Sequence, residues 1–342
     1  MIRIASDSDK ARWNEFVDNH PAGTFFHRFE WKEVIDKAIK HKTYYLIAED
    51  DSGTITGVLP LTHVKSILFG SNMVSNPFCV YGGVIANDQN VELEILEYAK
   101  KLTVENNADS LELRNLEPVS VEGDWPTKEL YCTFIKELSS DHDENMKAIP
   151  RKQRAMVRKA IKFELEYQID DTLDNFFLAY ETSVRNLGTP VFSRKYFRAL
   201  KETFGDMCDV LTTTHEGEIV TSVMNFYYKD TVLPFYGGGT SKARALAGND
   251  FMYWSLMQHA VEKGMKFFDY GRSKVDTGAY FFKKNWGFEP KPLHYQYFLN
   301  KADQIPEVNP LNPKYRIFIE AWKRLPLPIA RRIGPVISRN LG

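Results

Sequence analysis

The chain has 342 residues, 43% of them hydrophobic and 26% charged, with a formal net charge of −1. That is room for two ordinary domains with sizeable cores, and the near-neutral balance excludes a global attraction to nucleic acid. Cys79, Cys132 and Cys208 are too few and too far apart for a disulfide framework or a CxxC pair; no run of 18 uncharged apolar residues exists, and the N-terminus lacks the order of a signal peptide, so a cytoplasmic chain is expected.

In chain order, residues 1–18 read as a short strand and a helix with Trp13, Phe16 and Val17 at helical spacing. A second helix is expected over 29–38. Residues 44–48 and 54–63, joined by a turn at Asp50-Asp-Ser-Gly53, read as a hairpin. An extended stretch interrupted by Gly82-Gly83, an amphipathic helix over 92–105 and a strand over 110–114 follow. The same order returns later: a helix over 196–204, a hairpin over 209–228 with its turn at Glu216-Gly217, an extended stretch ending in Tyr236-Gly-Gly-Gly239, a helix over 250–263 and a strand over 266–270. Gly53 matches Gly217, and Gly82-Gly83 matches Gly237-Gly238, at an offset of about 160 residues. A shared order at a fixed offset indicates tandem duplication of one α/β unit. The expected division is 1–145, 146–300 and a basic, proline-containing tail over 301–342. The junction at 137–150 is polar and acidic, ending in Pro150, which suits the first turn of a helix.

Two stretches carry chemistry. Residues 147–162 hold seven basic residues and no acid. As a helix, Arg151, Arg154, Arg158 and Lys162 share one face. That row suits phosphates, whether a cofactor pyrophosphate, a tRNA 3′ end or a sugar–lipid diphosphate; it equally suits a solvated face over an apolar seam of Met156, Val157 and Ile161. In residues 265–290 a short strand ends at Gly271, which turns the chain and presents Arg272, Ser273 and Asp276. A short aromatic helix over 280–286 then delivers Lys283 and Lys284, and Gly287 stops it. This is either an active-site rim or an ordinary strand–loop–helix corner. The glycine run Gly237–Gly239 marks either a close approach by ligand or a simple turn. The tail over 313–342 takes seven of the chain's 44 basic residues and one of its 45 acidic ones. Pro326, Pro328 and Pro335 forbid one long helix there. Its basic and apolar residues fit peripheral contact with an anionic inner membrane, or wrapping of the acidic body of the protein.

The run Phe268-Asp-Tyr-Gly-Arg-Ser273, followed by Tyr280-x-Phe282-Lys283-x-x-Trp286-Gly287, resembles the signature of the FemAB-like branch of the GNAT acyltransferase superfamily. More narrowly it is similar to FemAB-like proteins found with PEP-CTERM/exosortase and exopolysaccharide systems. The likeness extends over nearly the whole chain, including Asn309-Pro-Leu-Asn-Pro313. It implies two tandem GNAT-like α/β domains of mixed sheets and an acyl or aminoacyl transfer to an amine of an envelope precursor, without a metal. The donor is then a co-substrate, aminoacyl-tRNA or acyl-CoA, with no cofactor permanently bound. Lys283 falls on the lysine of the family's Phe-Lys motif, suited to an oxyanion or a phosphate. Arg272 is placed to neutralise a substrate carboxylate or phosphate. Asp269 and Asp276 are the nearest proton acceptors, Asp269 having the alternative of pairing structurally with Arg272. Ser273, Gly237, Gly238, Gly239, Tyr280 and Trp286 are candidates for substrate contact, as are His27, Trp31 and Tyr236, which suit core or rim at least as well, and Arg151, Arg154 and Arg158 are candidates for phosphate.

The GNAT pyrophosphate loop reads Gln/Arg-x-x-Gly-x-Gly/Ala and offers free N–H groups to a diphosphate. At the corresponding place stands Arg244-Ala-Leu-Ala-Gly-Asn249, a poor match that disfavours acetyl-CoA without excluding it, since Gly248-Asn249-Asp250 can still form an anion-receptive helix start. In the first half the equivalent strand reads Leu111-Glu-Leu-Arg-Asn115 and no Phe-Lys-x-x-Trp-Gly follows, so that half is expected to be catalytically silent. The rival readings are an acyl-CoA-dependent N-acyltransferase and a non-catalytic binding subunit of an export system.

Overall fold

The structure, a computed structural model, describes residues 1–66, 69–121, 123, 125–306 and 313–341. Along the chain run β1 (Ile2–Ile4), α1 (Lys10–Asn19), α2 (Glu30–Val34), β2 (Lys42–Thr43), β3 (Leu46–Glu49), β4 (Ile55–Leu59) and β5 (Leu61–Ser66). Next come β6 (Gly70–Ser75), β7 (Ile85–Ala86), α3 (Gln89–Glu105), β8 (Ser110–Asn115), β9 (Thr127–Lys128) and β10 (Tyr131–Glu137). Then follow α4 (His142–Ala148), α5 (Arg151–Lys162), β11 (Glu166–Ile169), α6 (Asp174–Leu187), α7 (Arg194–Phe204), β12 (Cys208–His215) and β13 (Glu218–Tyr228). The chain continues as β14 (Thr231–Gly239), α8 (Gly248–Glu262), β15 (Phe267–Asp269), β16 (Ser273–Lys274) and α9 (Gly278–Asn285). It closes with β17 (Pro290–Pro292), β18 (His294–Leu299), α10 (Pro313–Lys323) and α11 (Leu327–Ser338).

The chain forms two compact units. The first holds Met1–Tyr131, the segment beginning at Pro292 and the last residues from Arg339. Its sheets have the strand orders β1-β3-β4-β7 and β2-β5-β6-β8-β18-β9. Asp88 caps α3 by accepting from the N–H groups of Asn90 and Val91, and the helix lays Ile95, Leu96, Ala99 and Leu102 into a core with Leu46, Leu59, Leu111 and Leu113. The second unit holds Cys132–Lys291 with the tail helices. Its sheet runs β11-β12-β13-β14-β15-β10-β16, with β17 against β10. α8 is apolar nearly all round, as a helix buried on several sides must be; Met252, Leu256, Met257 and Ala260 pack with Val223, Val232 and Phe268.

The duplication is visible strand by strand. In the first unit β6 pairs in parallel with β8, and in the second β14 pairs in parallel with β15. The next neighbour is antiparallel in both: β18 beside β8, β10 beside β15. These two neighbours have changed places. β10 follows the first unit's strands in sequence yet lies in the second unit's sheet, and β18 does the reverse. The units therefore differ from the expected ranges 1–145 and 146–300. A strand's side-chain alternation says which face is buried, not which sheet it joins.

Three local expectations change. The acidic junction forms α4, capped by Asp141, which accepts from the N–H groups of Asp143 and Glu144. The buried residues of α5 are Gln153, Val157 and Ala160, with Met156 packed half-buried beside them as expected, while Ile161 is exposed. The tail, broken at Pro326 into α10 and α11, packs against α6 of the second unit. Buried Glu181 of α6 accepts a two-pronged ion pair from Arg331, with Arg331 Nε at 2.6 Å. Gly334 sits on the backbone of Val191, where a Cβ would meet the carbonyl oxygen at 2.7 Å. Of the Asn309–Pro313 motif, residues 309–312 lie outside the described residues.

Candidate active site

Parallel strands β14 and β15 share only two register pairs, Thr231↔Phe267 and Val232↔Phe268. Beyond them β14 runs on to Gly239 against β13, while β15 ends at Asp269 and turns. Past Val232, the backbone groups on the facing edge of β14 are not used by that ladder. The turn after β15 is held from two sides. Asp269 is buried, and its Oδ1 accepts from the Thr133 hydroxyl at 3.1 Å and the Gly271 N–H at 2.8 Å. Gly271 has φ +66°, a conformation that favours glycine. From α9, the Lys283 ammonium donates to the carbonyls of Tyr270 (2.8 Å), Gly271 (2.9 Å) and Arg272 (3.2 Å).

Lys283 is 8% exposed. Burial pulls its pKa down from 10.5 to about 8, against the opposing charge of Asp269. An ammonium has three hydrogens to donate, and all three go to loop carbonyls. The expectation that it faces an oxyanion is therefore corrected: Lys283 positions the loop. Arg272 and Asp276 are exposed on that loop, with Asp276 at φ +59°. Ser273 is buried, and its hydroxyl has no hydrogen-bond partner among the described residues. Thr277 caps α9. Tyr280 is half-buried, edge-on to Phe134.

Other candidates are used elsewhere. Trp286 is fully buried, and its indole N–H reaches Asp250 Oδ1 at 3.3 Å, so it is a core residue. A Cβ on Gly238 would lie 2.5 Å from the Ala179 carbonyl oxygen and 2.8 Å from Tyr180 Cα, and one on Gly239 would lie 2.7 Å from Ala243 Cβ. The close approach at these two glycines is made by the chain itself. Replacing Gly238 by Ala should cost about 2 kcal/mol, as overpacking against helix backbone does, read by urea unfolding; an unchanged midpoint would refute this packing. Gly237 is exposed in β14, and the Tyr236 hydroxyl meets that of Tyr196 at 2.9 Å. His27 and Trp31 belong to the first unit's core: Thr24 N–H donates to His27 Nδ1, the other ring nitrogen lies 3.1 Å from the Gly83 carbonyl oxygen, and Trp31 donates to the Phe25 carbonyl. Their burial corrects the reading of both as cleft residues.

Asp250 lies on the first turn of α8, where the sequence suggested only a helix start and not the use of its carboxylate. It is buried, which raises its pKa, and it accepts from Gln153 of α5 and from Trp286. One carboxylate thus joins α5, α8 and the end of α9. Across α5 from Gln153, residues Arg151, Arg154, Arg158, Lys159 and Lys162 line an open depression of about 570 Å³. Among the described residues none of the three arginines takes part in an ion pair. In the loop before α8, the N–H groups of Ala243, Leu246, Ala247, Gly248 and Asp250 all donate to carbonyls of residues 240–247. Among the described residues no cluster of three or more metal-ligating side chains occurs, and no helix is long and apolar enough to cross a membrane.

Residues 145–284 match the family model described as Acetyltransferase (GNAT) domain. Comparison with curated proteins found no match. Among solved structures the chain is similar to FemX, at 13% identity over 93% of this chain and 100% of that one, with a TM-score of 0.68. It is similar to a tandem GNAT protein from the clavulanic acid biosynthesis pathway, without AcCoA (11% identity, 89% and 99% covered, TM-score 0.57). It is also similar to the C-terminal domain of a candidate lysylphosphatidylglycerol synthetase from Agrobacterium fabrum (12% identity, 86% and 93% covered, TM-score 0.56). These likenesses show the fold, two units of mixed α/β sheets arranged as in those structures, and residues 145–284 of the chain match the acetyltransferase domain model.

Proposed function

We propose that the second unit transfers an aminoacyl or acyl group from an ester donor to an amine, forming an amide on an envelope or exopolysaccharide-related acceptor. The observation that carries this reading is the basic face of α5, tied through Gln153, Asp250 and Trp286 to the helix that positions the Arg272 loop. The loop before α8 departs from the GNAT pyrophosphate pattern and several of its N–H groups are bonded internally, which makes the α5 side chains the main grip on the donor's phosphates. That favours the 3′ end of aminoacyl-tRNA over CoA. The amine nitrogen attacks the acyl carbonyl, a C–N bond forms, and the oxyanion meets N–H groups on the unladdered edge of β14. Collapse breaks the acyl–oxygen bond and expels the donor hydroxyl. Asp276, exposed on the loop, takes the amine proton, and Arg272 holds the acceptor's carboxylate or phosphate. Asp269, already engaged by Thr133 and Gly271, positions the turn.

The acceptor class rests on the motif resemblance, and it places the reaction at the cytoplasmic face of the inner membrane. A second reading, transfer from acyl-CoA, is favoured by the matched acetyltransferase model. Melting of the chain with millimolar CoA, acetyl-CoA or tRNA separates the two, because a ligand at 100 times its dissociation constant adds about 2.7 kcal/mol of stability. Stabilisation by tRNA, with faster deacylation of charged tRNA when an amine acceptor is added, supports the first reading. Stabilisation by CoA alone replaces it with the second. No response to either sinks both and leaves a binding subunit.

A further inference from the structure

The tail helix α11 presents two unlike faces. Ala330, Gly334 and Ser338, at spacings of four, are buried, with Gly334 and Ser338 seated on the backbone of Val191. Outward stand Ile329 (43% exposed), Ile333 (44%) and Val336 (65%), with exposed Arg332 among them. Positions 329, 332, 333 and 336 form one stripe of a helix. A helix that buries its small residues and exposes its branched aliphatic ones reverses what burial in a core selects. α10 likewise exposes Ile317. Arg331 is taken by Glu181, but among the described residues Arg324 and Arg332, both exposed, have no ion-pair partner.

We propose that the outward face of α11 docks on an anionic lipid surface. Aliphatic side chains enter the boundary between headgroups and acyl chains, while arginines lay their stems along it and reach lipid phosphates. The charge on the face selects this occupant. An RNA backbone would satisfy the arginines and leave the aliphatic stripe in water. A second copy packed face to face would bring like charges together. The proposal stands apart from the transfer reading, because it is read without any donor or acceptor.

The test uses the full chain and flotation with vesicles. The chain is expected to float with mixed phosphatidylcholine–phosphatidylglycerol vesicles and to stay behind with pure phosphatidylcholine. Ile329→Ser/Ile333→Ser/Val336→Ser and, separately, Arg324→Glu/Arg332→Glu should each weaken binding at least ~10-fold, the order expected when about 1 kcal/mol per charge is lost, with unchanged melting curves. Failure to float with the anionic vesicles, or binding by either variant as tight as that of the unchanged chain, would overturn the proposal. So would light scattering in which the serine variant converts an oligomer to a monomer, since the face would then cover a second copy.

Discussion

Lys283→Met is expected to cut transfer roughly 100-fold and to lower stability by about 3 kcal/mol. Hydrogen bonds to a charged donor contribute about 1.5–3 kcal/mol each, part of which offsets the burial of the charge. Methionine fills similar space but leaves the carbonyls of residues 270–272 without their donor. The rate loss should follow from a loosened loop, in keeping with the positioning role. Faster amide exchange over residues 271–277 is the signature that a lost oxyanion contact alone would not give. The pH dependence has a definite sign. The lysine holds its proton up to about pH 8 in the folded chain and up to roughly 10.4 when unfolded. Between those values the unfolded chain binds more protons, so stability relative to the methionine variant rises with pH. Below pH 8 the difference is flat. Urea unfolding of both chains at pH 7, 8.5 and 10 checks this, and a constant gap would count against the buried ammonium.

Arg151→Glu/Arg154→Glu/Arg158→Glu should weaken binding of tRNA at least ~100-fold at moderate salt, while the melting temperature stays put. The three side chains line an open depression and hold no ion pair among the described residues, so their loss removes only binding energy. Each phosphate contact contributes roughly 0.7–0.9 to the slope of log K against log salt. The slope should therefore fall by roughly 2 to 3, measured by titration at several salt concentrations. An unchanged slope would mean that α5 is merely a solvated face.

Some of this was legible in the sequence. A helix within residues 147–162 was legible because Arg151, Arg154, Arg158 and Lys162 recur at helical spacing beside an apolar seam at Met156 and Val157. Lys283 was singled out by its motif, but its partners are backbone carbonyls, which carry no residue-specific signal. Asp250 was passed over because a buried carboxylate at a helix start looks the same as a solvated one until Gln153 and Trp286 are placed around it. His27 misled for a related reason: a histidine among aromatic residues suggests a cleft, whereas here a carbonyl and a backbone N–H fully satisfy its ring.

The exchange of β10 and β18 bears on how such a chain is inherited. β10 lies ahead of α4 and α5 in sequence, yet it supplies Thr133, whose hydroxyl holds Asp269, and Phe134, whose ring lies beneath the Lys283 ammonium at 5.5 Å. A duplicated gene half is ordinarily free to drift or be deleted when its partner carries the chemistry alone. Here the point of cutting matters: shuffling the second half into another protein at the natural-looking seam near residue 145 would leave these two side chains behind, whereas a cut ahead of Cys132 would carry them along.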